Sequence, residues 1–134
     1  MRVLFVCAGN TCRSPFAEAV ARREGHVDVE SAGLTASAGD ASPEDAIAAA
    51  RELGVDLASH RARRLTRDMV ERADVIVGMT TAHVSALDAW GARGKTRLLG
   101  GADIGDPIEH GRDAYRRTYA RMESDVRTLF EEQK

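Results

Sequence analysis

The sequence predicts a single-domain, three-layer α/β fold, with a four-stranded parallel sheet and helices on both of its faces. Three observations predict it. Strand-like and helix-like segments alternate along the whole chain. The runs Val3–Val6 and Val75–Met79 are continuously apolar, as strands covered on both faces are. The 134 residues, with no repeat, low-complexity tract or linker, make one domain spanning 1–134.

The first strand, Val3 to Val6, ends at Cys7. A polar loop from Ala8 to Arg13 leads to Ser14-Pro15, where Ser14 suits an N-cap, Pro15 the first helical position and Glu18 the first turn. That helix is expected to reach about Glu24. Val27 to Ser31 reads as the second strand, followed by a small-residue surface loop from Leu34 to Ser42. Ser42-Pro43-Glu44 opens a helix whose face is Ile47, Ala50 and Leu53, and Gly54 stops it. Thr66 to Ala73 is a short helix, Val75 to Met79 the third strand, Thr81 to Trp90 a helix and Thr96 to Leu99 the fourth strand. The last helix runs from about Arg112 to Glu131, with Tyr115, Tyr119, Met122, Val126 and Leu129 along one stripe.

Composition narrows the function classes. The 19 basic and 21 acidic residues give a net charge of −2, without the positive field of a nucleic-acid binder. No apolar run approaches a membrane span and no signal-peptide pattern is present, so a cytoplasmic protein is expected. Cys7 and Cys12 are the only cysteines, and they form neither a C-x-x-C pair nor a zinc set. Their place at the end of the first strand suggests reactive chemistry more than structure.

In open α/β sheets the loop after the first strand is the usual phosphate seat. Here it carries Cys7, Ala8, Gly9, Asn10, Thr11, Cys12, Arg13 and Ser14. Five residues between Cys7 and Arg13 allow the backbone to curl with its N–H groups converging on one centre. Gly9 adds no side-chain clash, and Asn10 tolerates a left-handed conformation. A thiol at the base of such a nest, beside a helix N-terminus and an arginine, is held toward the thiolate, which makes Cys7 a candidate nucleophile. The Arg13 fork suits a phosphoryl group, and Ser14 can donate to the sulfur or to the departing group. Leaving-group departure also requires an acid, and Asp106, stiffened by Pro107 on a later loop, is the candidate. Taken alone, Asp-Pro is an ordinary turn.

Residues 6–15, V-C-A-G-N-T-C-R-S-P, match every fixed position of the first-strand motif of the low-molecular-weight protein tyrosine phosphatases, and the chain resembles that family throughout. The resemblance implies a Rossmann-like three-layer fold and a phosphatase working through a phosphocysteine on Cys7. Arg13 would be the phosphate clamp, and Asp106 first acid and then base. It also implies that Asn10, Ser14, Ser31 and His60 hold the loop in shape, and that Cys12 can close a reversible disulfide with Cys7. Phosphorylated proteins are the implied partners; no nucleic acid, membrane, metal or cofactor is required, and a monomer is expected.

Tyrosine-specific members of the family clamp the phenyl ring between two aromatic residues. The corresponding positions here fall near Ser37 and at Ile108, so both aromatics are missing. Thr11 is similar to the bacterial protein-arginine phosphatase branch, and a guanidinium studded with N–H donors suits a hydroxyl at Thr11 and a carboxylate at Asp106. Ile108 departs from that branch, where phenylalanine is frequent. Phosphoarginine is therefore the expected substrate, with phosphotyrosine the alternative, then small or other aryl phosphates. A non-catalytic phosphate-binding module and a phosphocysteine carrier are remoter rivals, and the absence of cysteines after Cys12 disfavours a thioredoxin-coupled arsenate reductase. Arg61, Arg63, Arg64 and Arg67 form a basic stretch that reads either as a solvated face or as a surface for acidic substrates.

Overall fold

The computed structural model describes residues 1–132. Its four strands are β1 (Val3–Cys7), β2 (Val29–Gly33), β3 (Val75–Gly78) and β4 (Thr96–Leu98), all parallel and ordered β2-β1-β3-β4. The helices are α1 (Arg13–Arg23), α2 (Glu44–Glu52), α3 (Arg67–Arg72), α4 (Thr81–Asp88) and α5 (Arg112–Glu132), with a 3-10 turn at Leu99–Gly101. None of the described helices is long and apolar enough to cross a membrane.

Alternation along β1 divides the core. Val3, Phe5 and Cys7 face one cluster with Phe16 and Val20 of α1, Ala46, Ala49 and Ala50 of α2, and the Tyr115-to-Leu129 stripe of α5. Leu4 and Val6 face the other cluster with Met69 and Val70 of α3 and Leu87 of α4. The period of two therefore points Cys7 at the face that α1 and α5 cover. The Phe16 and Tyr119 rings stack at 3.9 Å, which binds those two helices to each other beside the first loop.

Several elements differ from the sequence expectation. The helix α1 starts at Arg13 with Cys12 at the cap position and no side-chain cap, so Ser14 is inside the helix and Glu18 lies beyond its first turn. The Ser14 hydroxyl is bonded to Cys7 and Asn10 instead of to the helix backbone. The second strand starts at Val29, not Val27, because register pairs Val3 with Val29 and leaves Val27 77% exposed. It runs on through Ala32 and Gly33, small residues that read as loop in sequence but are needed where the strand meets the phosphate-type loop. A Cβ on Gly33 would stand 2.6 Å from the Ala8 carbonyl oxygen and 2.8 Å from the Ala36 Cβ. The buried face of α2 is Ala46, Ala49 and Ala50, with Ile47 and Leu53 only partly buried, because close packing under α5 favours alanine. Finally, α4 ends at Asp88, two residues before Trp90, and Leu99 leaves the sheet for the 3-10 turn.

The segment after that turn is irregular up to Arg112 but tied at its start. The Ile104 N–H donates to the Met79 carbonyl at 2.8 Å, the Thr81 N–H to Asp103 Oδ1 at 2.7 Å, and Arg121 of α5 to the Ala102 and Asp103 carbonyls. These bonds bring Asp106 to the same end of the sheet as Cys7.

Candidate active site

The loop from Cys7 to Arg13 turns through Asn10, whose φ of 54° is left-handed. Among the described residues, the backbone N–H groups of Gly9, Asn10, Thr11 and Cys12 have no protein acceptor. Consecutive unpaired amides at the mouth of a helix form a concavity that suits an anion. Cys7 sits in this loop at 2% exposure and Arg13 at 5%. Arg13 Nη1 donates to the Ile104 carbonyl at 2.8 Å, while its buried Nε has no partner in the protein. One side of the guanidinium is thus anchored and another donor is left for an incoming acceptor.

Asn10 is fully buried and its amide organises the loop. Its Nδ2 donates to Ser14 Oγ at 2.8 Å and to Ser31 Oγ at 2.9 Å, and its Oδ1 accepts from the Arg63 N–H at 2.8 Å. His60 Nε2 lies 2.8 Å from the Asn10 carbonyl oxygen, which fixes that nitrogen as the donor. Ser14 Oγ accepts from Asn10, so its own hydrogen is free to point at Cys7 Sγ, 2.9 Å away. By the same logic Ser31 donates to Glu18 Oε1 at 2.6 Å. Glu18 is nearly buried, and Arg22 and Arg63 balance its charge at 3.1 and 3.5 Å.

Asp106 Oδ2 lies 3.6 Å from Arg13 Nη2, and the carboxylate side chain is 43% exposed. Its Oδ1 accepts from the Ile108 N–H at 3.1 Å, a local turn that holds the carboxyl in place. Cys12 faces away into the core. Its sulfur is 3.3 Å from the Tyr115 hydroxyl and 3.6 Å from Thr11 Oγ1, and its carbonyl accepts from the Tyr119 hydroxyl at 2.9 Å. Burial pushes the Cys12 thiol up, and it pushes both tyrosines up, so these three groups stay protonated at neutral pH. Both cysteines are free thiols.

The fold brings Cys7, Asn10, Arg13, Ser14, Ser31, His60 and Asp106 together around the loop. It leaves Ser37 exposed and Ile108 43% exposed, the latter following Pro107 directly. Two residues were missed. Glu18 read as a helix-start acid, although its place four residues after Ser14 and four before Arg22 put all three on one helix face. His83 belongs to no motif in the sequence; its Nδ1 accepts from the Met79 N–H at 3.3 Å, and Met79 in turn carries the Ile104 that anchors Arg13. Only tertiary contact reveals that link. A cavity of about 560 Å³ beside Gly100 and Asp125 shares no residue with this loop.

A profile of the family described as low molecular weight phosphotyrosine protein phosphatase matches residues 2–134. The chain is 36% identical over 129 residues to the probable low molecular weight protein-tyrosine-phosphatase AmsI of Erwinia amylovora, covering 91% of this chain and 90% of that protein. It is 34% identical over 142 residues to the protein-arginine-phosphatase of Bacillus subtilis, covering 96% and 94%. Its fold superposes on the tyrosine phosphatase Wzb from Escherichia coli K30, solved in complex with sulphate, with a TM-score of 0.93, 29% identity and coverage of 99% and 98%.

Two outcomes follow from the site's bonding. Ser31→Ala leaves an Asn10 amide hydrogen and the Glu18 carboxylate each short of a partner inside the protein. It should lower stability by about 1 to 3 kcal/mol in denaturant melts; a variant as stable as wild type would remove the network's structural role. The second concerns pH. Burial, then the Arg13 charge, holds the His83 imidazole below the ordinary 6.5, against weaker opposition from Asp103 and Asp106. Below 6.5 the unfolded chain takes up a proton that folded His83 refuses, so stability falls with pH until the folded imidazole titrates. His83→Asn keeps an acceptor for Met79 and cannot titrate. Its melting temperature should fall less than wild type's between about pH 7 and about pH 5, and equal falls would exclude His83 from the pH response.

Proposed function

The chain belongs to the low molecular weight phosphotyrosine protein phosphatase family and is a cysteine-dependent protein phosphatase; from that premise we propose that it hydrolyses phosphoarginine on proteins with Cys7, Arg13 and Asp106 as its catalytic residues. The observation that carries the catalytic assignment is the set of unpaired loop amides from Gly9 to Cys12, together with the unpartnered Arg13 Nε, around the Cys7 thiol. A tetrahedral oxyanion satisfies those donors together.

In this reaction the Cys7 thiolate attacks phosphorus and forms a sulfur–phosphorus bond as the phosphorus–nitrogen bond breaks. Asp106 gives its proton to the departing guanidine nitrogen. The transferring group keeps its oxygens on the loop amides and the Arg13 fork, which suit the charge of the transition state. Asp106, now a carboxylate, takes a proton from water, whose oxygen attacks phosphorus and releases the sulfur. The Ser14 hydroxyl, directed at Cys7 by Asn10, stabilises the returning thiolate. Cys7→Ser should abolish turnover with the fold intact, and substantial remaining activity would reject the nucleophile. Asp106→Asn should slow substrates with poor leaving groups far more than an activated aryl phosphate; equal losses would point to another acid.

The substrate preference rests on the rim. Thr11 is half-buried in the loop with its hydroxyl near Cys12, and neither Ser37 nor Ile108 supplies an aromatic wall. The Thr11 hydroxyl and the carbonyl oxygen of the protonated Asp106 carboxyl accept from a guanidinium, whereas a phenyl ring needs apolar sides. Phosphotyrosine is the second reading, favoured by the apolar Ile108 beside Asp106 and by comparable identity to relatives named for that activity. On peptides of matched sequence, Thr11→Ile should weaken phosphoarginine hydrolysis and improve phosphotyrosine hydrolysis. One unpaired buried donor costs about 1 to 3 kcal/mol, so the ratio of kcat/KM values should shift by roughly ten-fold or more. Wild-type preference for phosphotyrosine, with a ratio unmoved by Thr11→Ile, would establish the second reading.

A further inference from the structure

Resting on the reading of this protein as a protein phosphatase, we propose that the segment from Arg61 to Arg67 is a docking rim for acidic residues flanking the phosphorylated residue of the substrate. Between Asp56 and Asp68 the chain has no carboxylate side chain, and Arg61, Arg63, Arg64 and Arg67 all fall in that window. All four are exposed. Among the described residues, ten of the 17 arginines lie within ion-pair distance of a carboxylate, Arg63 among them through Glu18. Among the described residues Arg61, Arg64 and Arg67 have no such partner, although acidic side chains outnumber basic ones in the chain.

The position of this segment is fixed by the site itself. Arg63 donates its backbone N–H to Asn10 Oδ1, and His60 reaches the Asn10 carbonyl, so the stretch is hydrogen-bonded directly to the Cys7 loop. Arg64 bridges Gly33 at the end of β2, and Arg61 bridges Ala41 across the loop that carries Ser37. Buried Ala62 and Leu65 pin the segment between its exposed arginines. Asp40, exposed across from this stretch, gives its backbone carbonyl to the Ala62 N–H, and among the described residues its carboxylate pairs with none of the arginines.

A protein of net charge −2 repels an acidic phosphopeptide at long range. A positive strip bonded to the catalytic loop offsets that repulsion beside the site, and within one Debye length of about 8 to 10 Å it favours an acidic flank over a neutral one. Arg63 is committed to Glu18, and Arg61 Nη1 is held by the Ala58 and His60 carbonyls. Arg64 and Arg67 are therefore the side chains that can be altered without disturbing the loop.

The test compares two phosphopeptides, identical except that Asp and Glu flanks in one become Asn and Gln in the other, at low and high salt. Wild type should favour the acidic peptide in kcat/KM by roughly three- to ten-fold at low salt and lose that preference as salt rises. Arg64→Gln/Arg67→Gln should abolish the preference, and Arg64→Glu/Arg67→Glu should reverse it, with p-nitrophenyl phosphate turnover and melting temperature unchanged in both. Equal use of the two peptides by active wild type, or a preference that survives charge reversal, would overturn the rim alone. Wild type that turns over neither peptide nor p-nitrophenyl phosphate would overturn the phosphatase reading and the rim with it.

Discussion

A single buried amide holds this site in shape. Asn10 takes a left-handed turn that few residues tolerate, and each polar atom of its side chain, with its carbonyl, is bonded to a different part of the fold. Ser14 belongs to α1, Ser31 to β2, and His60 and Arg63 to the segment beyond α2. Three stretches of the chain thus converge on one residue. Because Asn10 is at 0% exposure, any one of these bonds left unmade would strand a polar group away from water. The loop amides can face outward unpaired because the loop is held from behind.

The same network reaches the sulfur. Proton direction runs outward from Asn10 along two branches, one through Ser14 to Cys7 and one through Ser31 to Glu18. A hydroxyl whose oxygen already accepts has its hydrogen left for the neighbouring sulfur. Glu18 completes the second branch, and its charge is tolerated in the interior because two arginines face it. A buried carboxylate behind a phosphate-type loop is otherwise an unfavourable arrangement, so Arg22 and Arg63 are part of the loop's support as much as of the surface.

Arg13 is governed from the opposite side. Its anchor is a backbone carbonyl, Ile104, that is held by Met79, whose own N–H is held by His83. Two supports that share no residue, the Asn10 network and the Met79 relay, therefore meet at Cys7 and Arg13. Asp106 is tethered more lightly, by a local turn and a single long ion pair, on a segment fixed only at its start. A rigid cradle and a lighter arm suit the proposed role of Asp106, which serves first the leaving group and then water.

The sequence alone determined the alternating architecture, the apolar stripe of α5 and the loop with its five-residue spacing, since each depends on local period or on residues adjacent in the chain. It did not determine which helices Cys7 would face, because β1 is apolar on both sides. The tertiary structure alone decided what Ser14 and Glu18 do. A serine before proline reads as a helix cap, and only the approach of Asn10 and Ser31 turns its hydroxyl toward Cys7. The start of β2 was decided by pairing with β1, and the alanine face of α2 by the closeness of α5, neither of which leaves a local signal. His83 gave no sign in sequence because its role passes through a backbone N–H, and every residue but proline has one. Side-chain pattern carries what a residue can do; which partner it meets depends on contacts between segments tens of residues apart, and those exist only once the chain has folded.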